Sequence, residues 1–407
     1  MQSVGGGSVP SGSHSQVTVL HTADWQIGKP YGRVIDPDKR SRLRQLRLDA
    51  ISRIAALSAS TGASAVVIAG DLFDSPTPAA SEVSAVCAAI GSIDCPTLVV
   101  PGNHDHGGPG SVWQSPLFES ERRRRAAQLV VLQEPTPYEL EELVVLPCGL
   151  KQRHDSQDPC SWLGQLDWNT LPSNKPRLVL AHGGVNGFGA SDLDDENPTG
   201  PVNLINLKAA WFEQIDYVAL GDWHGCKQVQ AKAWYSGTPE PDRFARSADY
   251  QSGMVLEVAL QRGALPVVRP HSTGTAGWHA LQMALSSDAD LQQLERQLDQ
   301  LLAGRVGFDL LLLELEGTLS IGAQQRLEAL LQRFEAQLLR LKRRGTVGIS
   351  PEAAELQALG QLSDAPLVAA VARQLQQQLQ DAGQSEQRAL LGEALLELHR
   401  STVSPCN

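Results

Sequence analysis

From Val17 to about His271, short β-branched apolar runs recur, each closing in a polar loop that is often glycine-containing: VTVLHTAD, SAVVIAGD, PTLVVPGN, QLVVLQE, LVVLPCG, RLVLAHGG and DYVALGD. Apolar runs of this length bounded by turn formers predict strands buried on both faces. Between several of them the apolar spacing turns helical, as over residues 40–59 and 79–93. Strand, loop, helix, strand is the pattern of an α/β fold, in which ligands are expected beyond the carboxyl ends of the strands. After about Thr275 the texture shifts to leucine, glutamine and charge. DADLQQLERQLDQLLAG predicts a helix, FDLLLLELEGTL a strand, and residues 322–343 a long amphipathic helix. That suits a small appended α/β domain, with shorter helices over residues 346–407. No fixed-period repeat is visible.

A chain of 407 residues has room for one large domain and a smaller one. Residues 1–16 read as a disordered lead, 17–272 as the main domain, 273–345 as the appended domain and 346–407 as a helical segment. The formal charge of −11 excludes a generally cationic nucleic-acid coat, although a local basic groove is compatible with it. No apolar stretch approaches the ~18–20 residues that cross a bilayer, and the first residues lack the basic head and apolar run of an export signal. The six cysteines are scattered without a CxxC pair, as expected of reduced thiols in a cytoplasmic protein.

The loops after the predicted strands hold the chemistry. In order they carry Asp24 and Gln26, Gly70 to Asp74 (GDLFD), Gly102 to Asp105 (GNHD), Ala181 to Gly184 (AHGG) and Gly221 to Gly225 (GDWHG). Carboxylate, amide oxygen and imidazole form a mixed donor set suited to divalent ions. A lone Asp or His usually marks a turn or a helix cap, but such clusters at successive strand ends point to one shared site.

These motifs resemble the calcineurin-like metallophosphoesterase superfamily, and within it the SbcD-type DNA repair exonucleases. The residues that carry the likeness are LHTADWQIG, IAGDLFDSPTP, VPGNHD, ALGDWHG and WYSGTPEPDRF (Trp234 to Phe244). The resemblance implies a four-layer α/β/β/α sandwich with a small C-terminal α/β capping domain and a helical tail. It implies two divalent ions ~3.5–4 Å apart that generate hydroxide and stabilise the attacking and leaving oxygens of a phosphodiester. By motif, Asp24, Asp71, His224 and Gln26 would hold the first ion. Asp71, as the bridge, would hold the second with Asn103, His182 and Asp222. His104 matches the group that assists the leaving oxygen, and the Asp74 carboxylate would orient it. The expected activity is a DNA exo- or endonuclease subunit of repair or recombination. A phosphatase or phosphodiesterase for small phosphoesters is the alternative, and a catalytically weak scaffold the other. The expected partners are DNA, a coiled-coil ATPase of the SbcC type and a second copy of the chain, with no membrane.

Two positions depart from the pattern. The nucleases generally carry histidine where this chain has Gln26 and Asp222. Asp222 can still ligate and makes the site harder, which favours Mn²⁺ over Zn²⁺, with Mg²⁺ or Fe²⁺ as alternatives. Gln26 offers only a neutral amide oxygen, or is a polar loop residue with no metal contact. Arg243 and Arg246, beside the GTPEPDRF segment, are the candidate substrate contacts. Lys39, Arg40, Arg42, Arg44 and Arg47, and separately Arg122 to Arg125, are basic clusters that either track a phosphate backbone or are solvated helix faces.

Overall fold

The computed structural model describes residues 16–185, 202–245, 250–363, 365–383 and 385–403. The expectation of a disordered lead over 1–16 concerns residues that, Gln16 apart, lie outside this set, as does Arg246. The chain divides into two compact units, Met1–Thr275 and Ala276–Asn407.

The first unit is built on two six-stranded sheets. In the first sheet, β1 (Val17–Thr22), β2 (Ala65–Ile68), β3 (Thr97–Val99) and Leu129–Val131 run parallel. Met254–Leu260 and Val267–Ser272 extend it antiparallel on the other side of β1. In the second sheet, Tyr217–Gly221 lies parallel to Arg177–His182 and to Ala233–Tyr235, and Val144–Cys148 continues it. Side-chain alternation explains why the runs look continuously apolar. Ala65 and Val67 face the second sheet and pack with Leu178, Leu180 and Ala219, whereas Val66 and Ile68 face helices α1 (Pro37–Thr61) and α2 (Ala80–Ile90). The central strands of both sheets bury both faces, so every other residue serves a different core. The outer face of the second sheet is covered by short 3₁₀ turns, Ser161–Gln165 and Ala210–Gln214, through Leu163 and Trp211. The layers are therefore helix, sheet, sheet and turn, an α/β sandwich.

The second unit has a parallel sheet in which Asp309–Leu319 lies between Gly277–Leu285 on one side and Arg340–Arg344 and Val347–Ile349 on the other. Helices Asp288–Leu302 and Ile321–Gln337 pack on it through Leu294, Leu298, Leu327, Leu331 and Phe334. Leu327, Leu330, Leu331 and Phe334 of the expected amphipathic helix are buried inside this unit. The long helix expected over 322–343 is shorter than the leucine spacing suggested. It stops at Gln337, and Arg340–Arg344 is a strand in register with Leu310–Glu314. Pairing with a buried strand overrides the helical propensity of Leu, Lys and Arg. Helices Ala353–Gly360, Pro366–Asp381 and Ser385–Val403 gather around Leu359, Ala372 and Leu395. Among the described residues no helix is long and apolar enough to cross a membrane.

Candidate metal centre

Parallel strands present their carboxyl ends on one side, and the five chemical loops follow five of them. Asp24 lies just past β1, Asp71 past β2, and Asn103 and His104 past β3. His182 closes its strand, and Asp222 and His224 follow Gly221. Main-chain hydrogen bonds fasten the loops to one another: Asp24 N–H donates to Gly70 O (3.1 Å) and Gln26 N–H to Asp71 O (2.8 Å). Asp24, Gln26, Asp71 and Asp222 all have positive φ, between 41° and 104°. This region is costly for residues with a Cβ, and its concentration here fits a site where side-chain placement overrides backbone comfort. Gly70 and Gly102 have no such choice: a Cβ at Gly70 would strike the His182 ring, and one at Gly102 the Asp71 carboxylate.

The centre joins the two sheets. Register places His182 opposite Gly221, next to Asp222. The His182 Nδ1–H donates to Ala69 O (2.8 Å), which leaves its Nε2 facing the cleft. The Nε2 atom is 2.9 Å from the Asn103 amide, 3.7 Å from Asp71 and 3.8 Å from Asp222. With its nitrogen turned inward, the Asn103 amide satisfies both His182 Nε2 and Asp71 Oδ2. Asp222 N–H donates to both oxygens of Asp24 (3.2 Å each). Ligand atoms of Asp24, Asp71 and His182 all lie within 4.8 Å of one another.

The electrostatics describe a pocket in want of a cation. Burial pulls the His182 imidazole down, but Asp71, Asp24 and Asp222 outweigh it and raise its pKa to about 9. Burial also lifts Asp24 well above the usual carboxylate range, opposed by His182 and reinforced by Asp71 and Asp222. Asp71 falls below its ordinary value, because the His182 and His104 imidazoles and the His104 N–H outweigh its burial. Hard oxygens, one imidazole lone pair and excess negative charge fit a divalent ion at Asp24, Asp71, Asn103, His182 and Asp222.

His104 is held over this cluster by its N–H, which donates to Asp71 Oδ1 (2.9 Å). Its Nδ1 meets the main-chain oxygen of Asp74 at 3.1 Å. The expectation that the Asp74 carboxylate would orient this ring is corrected: the carbonyl does so, and the carboxylate lies 3.9 Å from Lys29 Nζ instead. Gln26 is brought to the cluster, but its oxygen accepts from Lys29 (2.7 Å) and its nitrogen faces His224 Nε2 (3.4 Å). Arg243 touches His224 Nδ1 (3.0 Å) and Asp242 (3.2 Å), so within the described contacts it is tied to the site itself.

Several contributors escaped the sequence reading. Asp105 is fully buried and accepts from Gly102 N–H (2.7 Å) and Phe73 N–H (3.0 Å), stapling the second motif to the third. Asp242 accepts from His224 Nδ1–H (2.9 Å). Lys29 reaches Asp242 at 3.2 Å. Asp105 and Asp242 stood inside quoted motifs, GNHD and WYSGTPEPDRF, which was their available signal; Lys29 had none beyond nearness in sequence. The basic cluster of α1 is also reassigned. Arg47 is buried and donates to the main-chain oxygens of Trp25 (2.8 Å), Asp24 (3.0 Å) and Glu240 (3.2 Å). Arg44 caps the oxygens of Lys29 and Pro30, and Arg40 those of Val34 and Ile35. These three arginines brace the first metal loop and the chain that follows it.

The chain matches the calcineurin-like phosphoesterase family over residues 17–251. Among solved structures, TT1561 of Thermus thermophilus is similar at 13% identity and a TM-score of 0.37, covering 64% of this chain and 100% of that one. A second solved structure is 12% identical, also with a TM-score of 0.37 and the same coverage. No curated protein matches.

Proposed function

The chain belongs to the calcineurin-like phosphoesterase family, and from that premise we propose that it is a metal-dependent phosphodiesterase of the DNA exo- or endonuclease kind, working in repair or recombination. The observation that carries the reading is the convergence of Asp24, Asp71 and His182 from separate strands within 4.8 Å, with Asn103 beside them. A bound divalent cation, Mn²⁺ being favoured by the oxygen-rich donor set, supplies Lewis-acid polarisation of the phosphoryl oxygens and a lowered water pKa. The protein's own part is placement. Asp71 holds the His104 main chain, and the Asp74 carbonyl fixes the Nδ1–H tautomer of its ring. A proton taken up at Nε2 is then the one the ring hands to the departing alkoxide. The DNA assignment is supported by the WYSGTPEPDRF segment, whose Asp242 and Arg243 reach into the site through His224. The charge of −11 favours the second reading, a small phosphoester as substrate.

Cleavage of end-labelled single- and double-stranded DNA should require added Mn²⁺. His104→Ala should slow it by about 10²–10⁴-fold, and Asp71→Asn should abolish it, both with unchanged circular dichroism. Hydrolysis of an aryl phosphodiester alone, with DNA left intact, would hand the assignment to the small-substrate reading. Undiminished DNA cleavage by both variants would refute the site.

A further inference from the structure

The half of the centre nearest Gln26 is chemically closed. Four side chains form a ring there: Lys29 Nζ donates to Gln26 Oε1 (2.7 Å), Gln26 Nε2 faces His224 Nε2 (3.4 Å), His224 Nδ1 faces Asp242 Oδ2 (2.9 Å), and Asp242 Oδ2 returns to Lys29 Nζ (3.2 Å). Donor and acceptor chemistry sets the orientation of Gln26. An ammonium only donates, so Gln26 must turn its oxygen to Lys29 and its nitrogen to the histidine. An ionised Asp242 only accepts, so it takes the His224 Nδ1–H at 2.9 Å and leaves the lone pair on Nε2, while the Arg243 guanidinium, 3.0 Å from the same nitrogen, donates to Asp242 (3.2 Å). The Gln26 N–H thus lies in front of the one atom of His224 that could ligate an ion. The only oxygen Gln26 could offer is already taken by a cation. Asp242 and His224 are buried, while the Lys29 side chain is 22% exposed.

We infer that Lys29 stands in for the first metal ion: the chain holds one divalent cation, at Asp24, Asp71, Asn103, His182 and Asp222, and the ammonium of Lys29 provides the second positive charge. The inference rests on the metal-dependent reading above and deepens it. Lys29 is a positioning residue here, a fixed charge beside the phosphate cleft that needs no loading. Asn103 can turn its oxygen to an ion, but the Gln26 oxygen is held by Lys29, so an ion at the Gln26–His224 position would sit against that ammonium and like-charge repulsion opposes it.

The test counts ions rather than turnover. Purified full-length chain is titrated with Mn²⁺, bound metal is measured by mass spectrometry, and spin coupling is read by electron paramagnetic resonance. Wild type should bind one Mn²⁺ per chain with the spectrum of an isolated ion. Gln26→His combined with Lys29→Met should bind a second, at least about 10-fold tighter than any second ion on wild type, with an exchange-coupled spectrum. Should the double variant fail to fold, Gln26→His alone is read in the same way. Two coupled ions on wild type, or a variant of wild-type melting temperature that still holds one, would overturn this inference and leave the metal-dependent reading standing. No bound ion on any form would sink both.

Discussion

Arg47 shows how residue identity can be plain and its job hidden. Its charge and its place beside other basic residues suggest a phosphate contact, yet burial has turned it inward onto three main-chain oxygens and the Thr238 hydroxyl (3.0 Å). A guanidinium presents five donors in a rigid fork, and a lysine cannot reproduce that geometry. Arg47→Lys should therefore lower unfolding stability by about 2–4 kcal/mol, since buried acceptors lose their partners. Arg124→Gln, on an exposed helix face where Arg124 pairs with Glu121, should change it by no more than about 0.5 kcal/mol. Equal losses in urea titrations of the two variants would contradict the clamp. The ligand candidates were legible for the opposite reason. Metal chemistry restricts which residue types can serve, so Asp24, Asp71, Asn103, His182 and Asp222 advertise themselves by type and by position after a strand. Asp105 and Asp242 act through other residues, and a carboxylate that accepts two main-chain N–H groups looks in sequence like any other aspartate.

Between elements, the sequence speaks clearly where burial is two-sided and poorly where it is not. The central strands of the first unit were readable because each fills two cores. Arg340–Arg344 was not, because its leucines continue a helical spacing and only its pairing with Leu310–Glu314 reveals a strand. The contact between the two large sheets is likewise invisible in sequence. His21 of β1 bonds through Nδ1 to the Tyr217 hydroxyl (2.9 Å) and through Nε2 to Leu220 O (3.1 Å), both on the facing sheet. Burial pushes its pKa down to about 3 against the Leu220 contact, from an ordinary 6.5. Between those two values the unfolded chain holds the proton and the folded chain does not. This group's contribution is therefore fully present above about pH 6.5 and is lost as the pH falls toward 3, with a slope of at most about 1.4 kcal/mol per pH unit. His21→Phe removes the titrating group, so the pH dependence of its unfolding free energy should be flatter than wild type's across that window. Superimposable slopes in the two proteins would mean that the sheets are not joined by a neutral histidine.

For the molecule as a whole, charge sets what the chain can do alone with a polyanion. The sum is −11, and much of the basic side-chain inventory is already spoken for. Arg122 and Arg123 pair with Glu119, and Arg124 and Arg125 with Glu121. Arg40, Arg44 and Arg47 hold loop carbonyls, and Lys29 lies in the ring with Gln26 and Asp242. On the proposed nuclease reading, a chain so equipped would grip a scissile phosphate at the Asp24, Asp71 and His182 cluster but has little with which to follow the backbone. Each neutralised phosphate adds about −0.9 to the slope of log affinity against log salt. Some two or three contacts at the cleft therefore predict a slope of about −2 to −3 for duplex DNA, measured by fluorescence anisotropy with Ca²⁺ in place of Mn²⁺ to suppress cleavage. A slope steeper than about −5 would require an extended basic track and would contradict the pairing of these arginines in solution. A slope in the shallow range would mean that, on the proposed nuclease reading, firm DNA binding has to come from elsewhere than this chain.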